Sequence, residues 1–228
     1  MMRETASLYR YLGKDSKAEI LEKKAGELVP LLMKLYKGDG IWNSLYPDNK
    51  QVEVRHCLDF MFLGRYLPND IPDSTRQEMI NFVYRELMTK TWMRAQSLQD
   101  LAAKNSDRPD HGPLGAYDGW PAGTMDALTQ MGYPQKALDF YHAIEPVTYE
   151  GSWAQAHELW GENRENANSR VRIAERGWHA RDASAGTAIA QVMLKCFFGF
   201  NPGFNGDPLK KTGAPDLNGT LSPYTVQK

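Results

Sequence analysis

The stretch Ser106–Thr124, SDRPDHGPLGAYDGWPAGT, concentrates groups able to do chemistry. Asp107, Asp110 and Asp118 supply carboxylates, Arg108 a guanidinium, His111 an imidazole and Trp120 an indole, while Gly112, Gly115 and Gly119 permit tight turns. Polar groups beside a flat aromatic face suit a sugar ring, whose hydroxyl edges exchange hydrogen bonds while its C–H faces stack on aromatic rings. The competing reading is an ordered loop in which Asp107 and Asp110 satisfy backbone N–H groups of their own turn.

Two further clusters flank it. In VEVRHCLDF, residues 52–60, Arg55 and His56 stand at the mouth of an apolar helix, with Asp59 four and three residues on. Such spacing could set all three on one side as a polar rim, or supply an ion pair that fixes the helix end. In SWAQAHELWGENRENANSR, residues 152–170, Glu158 lies between Trp153 and Trp160 and beside His157. A carboxylate walled by aromatic rings can have its pKa raised toward the range of a general base. A solvated Glu158 on a tryptophan-anchored surface segment is the bland counterpart, and Glu150 or Glu162 could serve equally.

The elements that must carry these groups read as helices. Residues 3–13 form a short helix, and Ser16–Glu19 reads as a capping box opening a second one, with the stripe Leu21, Ala25, Leu28, Leu32 and Leu35. Pro30 is expected to kink it and Gly38-Asp39-Gly40 to end it. Residues 41–56 read as a loop or short extended stretch. Helices are expected over Cys57–Leu67, from Ser74 to Leu87 with Ser74 as cap, over Ala122–Met131, over Gln135–Ile144 and over Ala183–Phe198. Residues 90–120 and 145–181 are long polar excursions, and loops on a rigid scaffold are where function concentrates. The expected organisation is one helical domain over 1–200, followed by an irregular tail or linker over 201–228.

Composition narrows the partners. The 228 residues carry 27 Lys+Arg against 28 Asp+Glu, and 42% are hydrophobic. This balance suits a globular core and removes the field expected of a nucleic-acid or anionic-membrane binder. No stretch approaches the ~18 consecutive apolar residues of a membrane span, and there is no signal-peptide core, so the chain is expected to be cytoplasmic if Met1 is the true start. Cys57 and Cys196 form no C-x-x-C pair, and His157-Glu158 does not continue into a zinc-protease motif, so neither metal nor cofactor is expected. Six tryptophans, several in Gly/Pro-rich segments, point to loop aromatics.

Taken together, VEVRHCLDF, the stretch ELMTKTWMRAQSLQD with Trp92, and GPLGAYDGWPAGTMDALTQMG resemble the second half of the catalytic domain of six-hairpin glycosidases. That group includes glucoamylase-like enzymes, the glucosidase part of glycogen debranching enzymes, and processing α-glucosidases. The resemblance spans residues 5–200 and implies an all-α fold, a partial (α/α)6 toroid of helical hairpins. It also implies inverting hydrolysis by two carboxylates set about 6.5–9.5 Å apart. Glu158 occupies the place of the general base. Arg55, His56, Trp92, Asp107, Arg108, His111, Asp118 and Trp120 are the implied sugar contacts. The family builds its toroid from twelve helices and takes its acid from the preceding half, whereas seven or eight helices are legible here. The expectation is therefore a glycoside hydrolase, or the C-terminal half of one completed by a missing half or a second chain. The alternatives are a non-catalytic helical module binding glycan or protein, and a polysaccharide lyase.

Overall fold

The computed structural model describes residues 1–106, 111–117, 119–148, 156–160, 168–172, 183–198, 200–201 and 220–221. Helices α1 (Met2–Tyr11) and α2 (Asp15–Met33) are followed by strands β1 (Tyr36–Gly38), β2 (Ile41–Leu45) and β3 (Gln51–Val54). Then come α3 (Cys57–Tyr66), α4 (Asp73–Phe82) with a π-helical turn at Val83–Leu87, a 3-10 turn at Ala103–Asn105, and β4 (Gly115–Tyr117). The remaining elements are α5 (Gly119–Gln130), α6 (Pro134–Thr148), β5 (Ala156–Trp160), β6 (Asn168–Arg172), α7 (Ala183–Cys196), and the short pair β7 (Phe200–Asn201) and β8 (Thr220–Leu221).

The all-α expectation, and with it the purely helical toroid, is overturned by these strands. β1, β2 and β3 form one antiparallel sheet, and β4, β5 and β6 form another. The first follows from residues 41–54, where Ile41, Trp42, Val52 and Val54 have strand character and Tyr46-Pro47-Asp48-Asn49 turns the chain, with Asn49 at φ 64°. The register pairs Trp42 with Val54 and Leu45 with Gln51. The Gly40 turn before β2 (φ 79°) rests on α4 so closely that a Cβ would lie 2.3 Å from the Glu78 carbonyl oxygen, which only glycine avoids.

Helix starts also differ from the capping motifs. α2 begins at Asp15 and α4 at Asp73, with Lys14 and Pro72 as the flanking residues, so neither Ser16 nor Ser74 is the cap. α2 runs through Pro30 to Met33. α3 is capped by His56, whose ring accepts the Leu58 N–H.

Three helices organise the interior. α5 packs between α3 and α7. α3 and α5 run parallel, since Met61 meets Gly123 while Gly64, further along, meets Ala127 and Met131. Gly64 permits this approach, because a Cβ there would fall 2.8 Å from that of Ala127. Phe60, Met79, Val83, Leu87, Met125, Leu128, Phe140 and Ile144 fill the core beneath. Asp126 on α5 binds Lys195 on α7 through both carboxylate oxygens and lies 3.7 Å from Arg65 on α3, tying all three helices.

Strands precede each of these helices: β3 runs into α3 through His56, β4 into α5, and β5 with β6 comes before α7. Segment 94–97 joins the starts of α3 and α5, because Cys57 N–H donates to Ala95 O and Ala95 N–H to Gly115 O. α1 and α2 pack chiefly on each other, leaving an apolar groove of about 580 Å³ lined by Met2, Leu28, Leu32, Phe62 and Tyr66 among others.

Candidate functional site

The turn from β4 into α5 builds an aromatic cluster. Gly119 lets the Tyr117 ring fold over the backbone, where a Cβ would stand 2.6 Å from the ring. Tyr117 and Trp120 then meet edge to face, with centroids 5.1 Å apart at 62°. His111 completes the group, 5.4 Å from Trp120 at 85° and 6.5 Å from Tyr117 at 28°. Thr124 fixes the first helical turn by donating its hydroxyl to Trp120 O at 2.8 Å. Tyr117 and Trp120 are half-buried and His111 is exposed, so rings and polar edges face water together. This is the amphipathic surface that a sugar face requires.

β5 pairs with β4 so that Glu158 lies opposite Gly115, His157 opposite Ala116 and Ala156 opposite Tyr117. Cross-strand partners share a sheet face and alternate positions repeat it, so the Glu158 position belongs to the same face as that of Tyr117. The tertiary fold thus brings residue 158 beside the aromatic turn from forty residues away. Asp107, Arg108, Asp110 and Asp118, and the side chain of Glu158, lie outside the described residues.

His56 is committed to the fold. Its Nδ1 accepts the Leu58 N–H at 3.2 Å and its Nε2 donates to His111 O at 3.2 Å. Burial pushes its pKa below the ordinary value, which keeps the ring neutral with the proton on Nε2. Both nitrogens are therefore occupied, and His56 acts on the cluster by holding the backbone of His111.

Arg55 is likewise engaged. Its guanidinium contacts both Glu86 oxygens at 2.7 and 2.9 Å and also pairs with Glu53, while its backbone N–H donates to Asp100 at 2.7 Å. Arg85 adds a contact to Glu86 at 3.0 Å. Burial would raise the Glu86 carboxyl, but hydrogen bonds from Ser97, Arg55 and Arg85 outweigh it and hold the group below the usual carboxylate range. The alternative of an ion pair fixing the start of α3 describes Arg55 better than a free sugar contact.

Trp92 is 1% exposed and donates its indole N–H to Ala116 O at 3.3 Å. It supports β4 from inside the core and cannot stack on a sugar. Trp42, 4% exposed, is also buried, so of the three tryptophans whose side chains are described, two are core residues.

Asp59 was legible as a rim residue, but its setting was not. Burial raises its pKa to about 6. Met61 and Gly64 face α5, and Asp59, two residues before Met61, lies ~200° round the helix. It is thus on the flank away from α5 and its aromatic turn. Among the described residues, no group of three or more His, Cys, Asp and Glu could hold a metal ion. No helix of the described residues is long and apolar enough to cross a membrane.

Fold and site together define a mixed helical domain with antiparallel strands and an aromatic, polar surface where β4 enters α5. No protein-family model and no curated protein matches the sequence.

Proposed function

We propose that the chain is the carbohydrate-binding part of a glycoside hydrolase acting by inversion, with Glu158 as general base and the aromatic turn as the sugar platform. The observation that carries this reading is the cluster of His111, Tyr117 and Trp120, half open to water and set beside the strand that bears Glu158. Edge-to-face rings offer a rigid stacking surface at small entropic cost. The adjoining carboxylate position is where a base would activate water. The resemblance to six-hairpin glycosidases supports the same assignment and puts the proton donor in a preceding half or another chain. The ligand is carbohydrate, in keeping with a net charge of −1 that favours neither nucleic acid nor an anionic membrane.

The test is oligosaccharide binding and hydrolysis. Neutral α- and β-linked oligosaccharides should bind the chain in calorimetry, and Trp120→Ala should abolish that binding. In the complete enzyme, Glu158→Gln should lower turnover about 10²–10⁴-fold with affinity little changed. Near-normal turnover in that variant moves the base elsewhere. Glycan binding with no hydrolysis in any complete form establishes a binding module instead.

A further inference from the structure

The loop that carries the aromatic cluster is held along one side by its carbonyls. Gly112 O accepts from Gln96 N–H at 3.2 Å, Pro113 O from Arg94 Nη1 at 2.7 Å and Gly115 O from Ala95 N–H at 2.7 Å. The tie at His111 itself comes from His56 Nε2 at 3.2 Å. Of these four donors only the imidazole changes its protonation in the neutral to mildly acid range. We propose that His56 is a positioning residue of the sugar platform and makes ligand binding acid-sensitive: the neutral ring holds His111 beside Tyr117 and Trp120, and the protonated ring releases it. The proposal rests on the carbohydrate reading and adds the regulation of that same site.

The two ring nitrogens have opposite polarity. Nε2 donates to His111 O while Nδ1 accepts the Leu58 N–H at 3.2 Å, a pattern that only the neutral ring with its proton on Nε2 satisfies. A proton added at Nδ1 points at the Leu58 N–H, donor against donor, and puts a cation at the positive N-terminal end of α3. The ring must then leave the cap. Both nitrogens belong to one rigid ring, so the same movement withdraws Nε2 from His111 O. Gly112, Pro113 and Gly115 keep their own donors, which confines the response to His111 and the rings of Tyr117 and Trp120 that it meets.

Among the described residues, the groups that bear on this proton come from three segments. Burial disfavours the imidazolium most; the bond to His111 O and the Asp100 carboxylate favour it, and the His111 ring opposes it. The balance lies below the ordinary value of 6.5. Asp100 is committed elsewhere, accepting from the Arg55 N–H, the Gln96 amide and the Ala102 N–H. The Cys57 thiol lies 3.6 Å from Nδ1 and is kept protonated by burial. The Arg55 guanidinium is engaged by Glu53 and Glu86. Ligand affinity should therefore be full at neutral pH and fall as pH drops through the native value of His56.

The experiment measures the affinity of the 228-residue chain for maltotetraose and cellotetraose by calorimetry, between about pH 7.5 and pH 4.5. The parent should lose about tenfold or more in acid. His56→Gln offers an amide N–H toward His111 O without a titrating ring, and should restore most of the neutral-pH affinity and remove the acid loss. His56→Asn caps α3 through its carbonyl but is too short to reach His111 O, and should bind weakly at every pH. A residue that merely capped α3 would give the reverse order, with Asn above Gln. That order, or an acid loss that persists in His56→Gln, overturns the proposal and leaves the carbohydrate reading standing. If neither oligosaccharide binds the parent at neutral pH, the carbohydrate reading fails, and the platform is followed without ligand through the indole N–H resonance of Trp120. Movement of that resonance with the same midpoint as the His56 ring upholds the positioning role, and a resonance that stays in place overturns it.

Discussion

The Lys195 ammonium on α7 donates to both carboxylate oxygens of Asp126 on α5, at 2.7 and 2.9 Å, across 69 residues of sequence. Asp126 is 5% exposed, and Gln130 donates to it at 3.3 Å. A carboxylate this enclosed depends on its partner, because removing one member of a buried pair strands the other charge. Lys195→Ala, which strands the enclosed carboxylate, should cost about 2–4 kcal/mol in urea unfolding; Asp126→Ala, which leaves an ammonium 39% exposed to water, should cost less, and the double variant less than the sum of the two. Additive losses would mean that the pair does not hold α5 to α7.

Asp59 should make the protein more stable in mild acid than its other groups would dictate. Its pKa rises from 3.8 when unfolded to about 6 in the fold, through burial. The stability linked to its protonated form is complete below the unfolded value and is lost as pH rises through about 6. Asp59→Asn should therefore add about 1–3 kcal/mol at pH 7 and nothing near pH 3, measured by denaturant unfolding at both. An equal effect at both pH values would refute the shift.

His56 predicts the opposite sign over its own range. Its native pKa is depressed by burial, so the stability it brings is full above the unfolded value of 6.5 and falls away as pH drops through the native one. His56→Ala should cost about 1–3 kcal/mol at pH 7, from a lost helix cap and a lost tie to His111. His56→Asn keeps a capping acceptor and should recover part of that loss. Proton resonances of His56 that titrate at or above 6.5 would contradict the assignment.

Trp92 and Trp120 should separate stability from binding. Trp92→Phe leaves the Ala116 carbonyl without its indole donor, which should cost about 1–2 kcal/mol while oligosaccharide affinity holds. Trp120→Ala should do the reverse, losing affinity with a smaller stability cost because the ring is half exposed. Calorimetric binding beside thermal melting reads both, and loss of binding in Trp92→Phe would put that ring in the site after all.

Much of this protein follows from local pattern alone. The charge balance is a sum over the whole sequence, and the apolar run of α3, the glycine-tryptophan-proline opening of α5 and the proximity of Tyr117 to Trp120 are set by residues within a turn or two of each other, where backbone period and side-chain size decide. Strand character in residues 41–54 was also present, in Ile41, Trp42, Val52 and Val54, but a short apolar run does not announce its partner strand. Burial and pairing over distance were decided by the tertiary structure. Trp92 and Trp120 carry the same side chain, yet β4 covers one and leaves the other at the surface. His56 and Arg55 read as open polar groups until the His111 carbonyl and the Glu86 carboxylate, 55 and 31 residues on, take up their hydrogen bonds. The position of Glu158 beside the aromatic turn comes from pairing β5 with β4, because a strand's neighbour is chosen by packing across the whole chain rather than by the residues next to it.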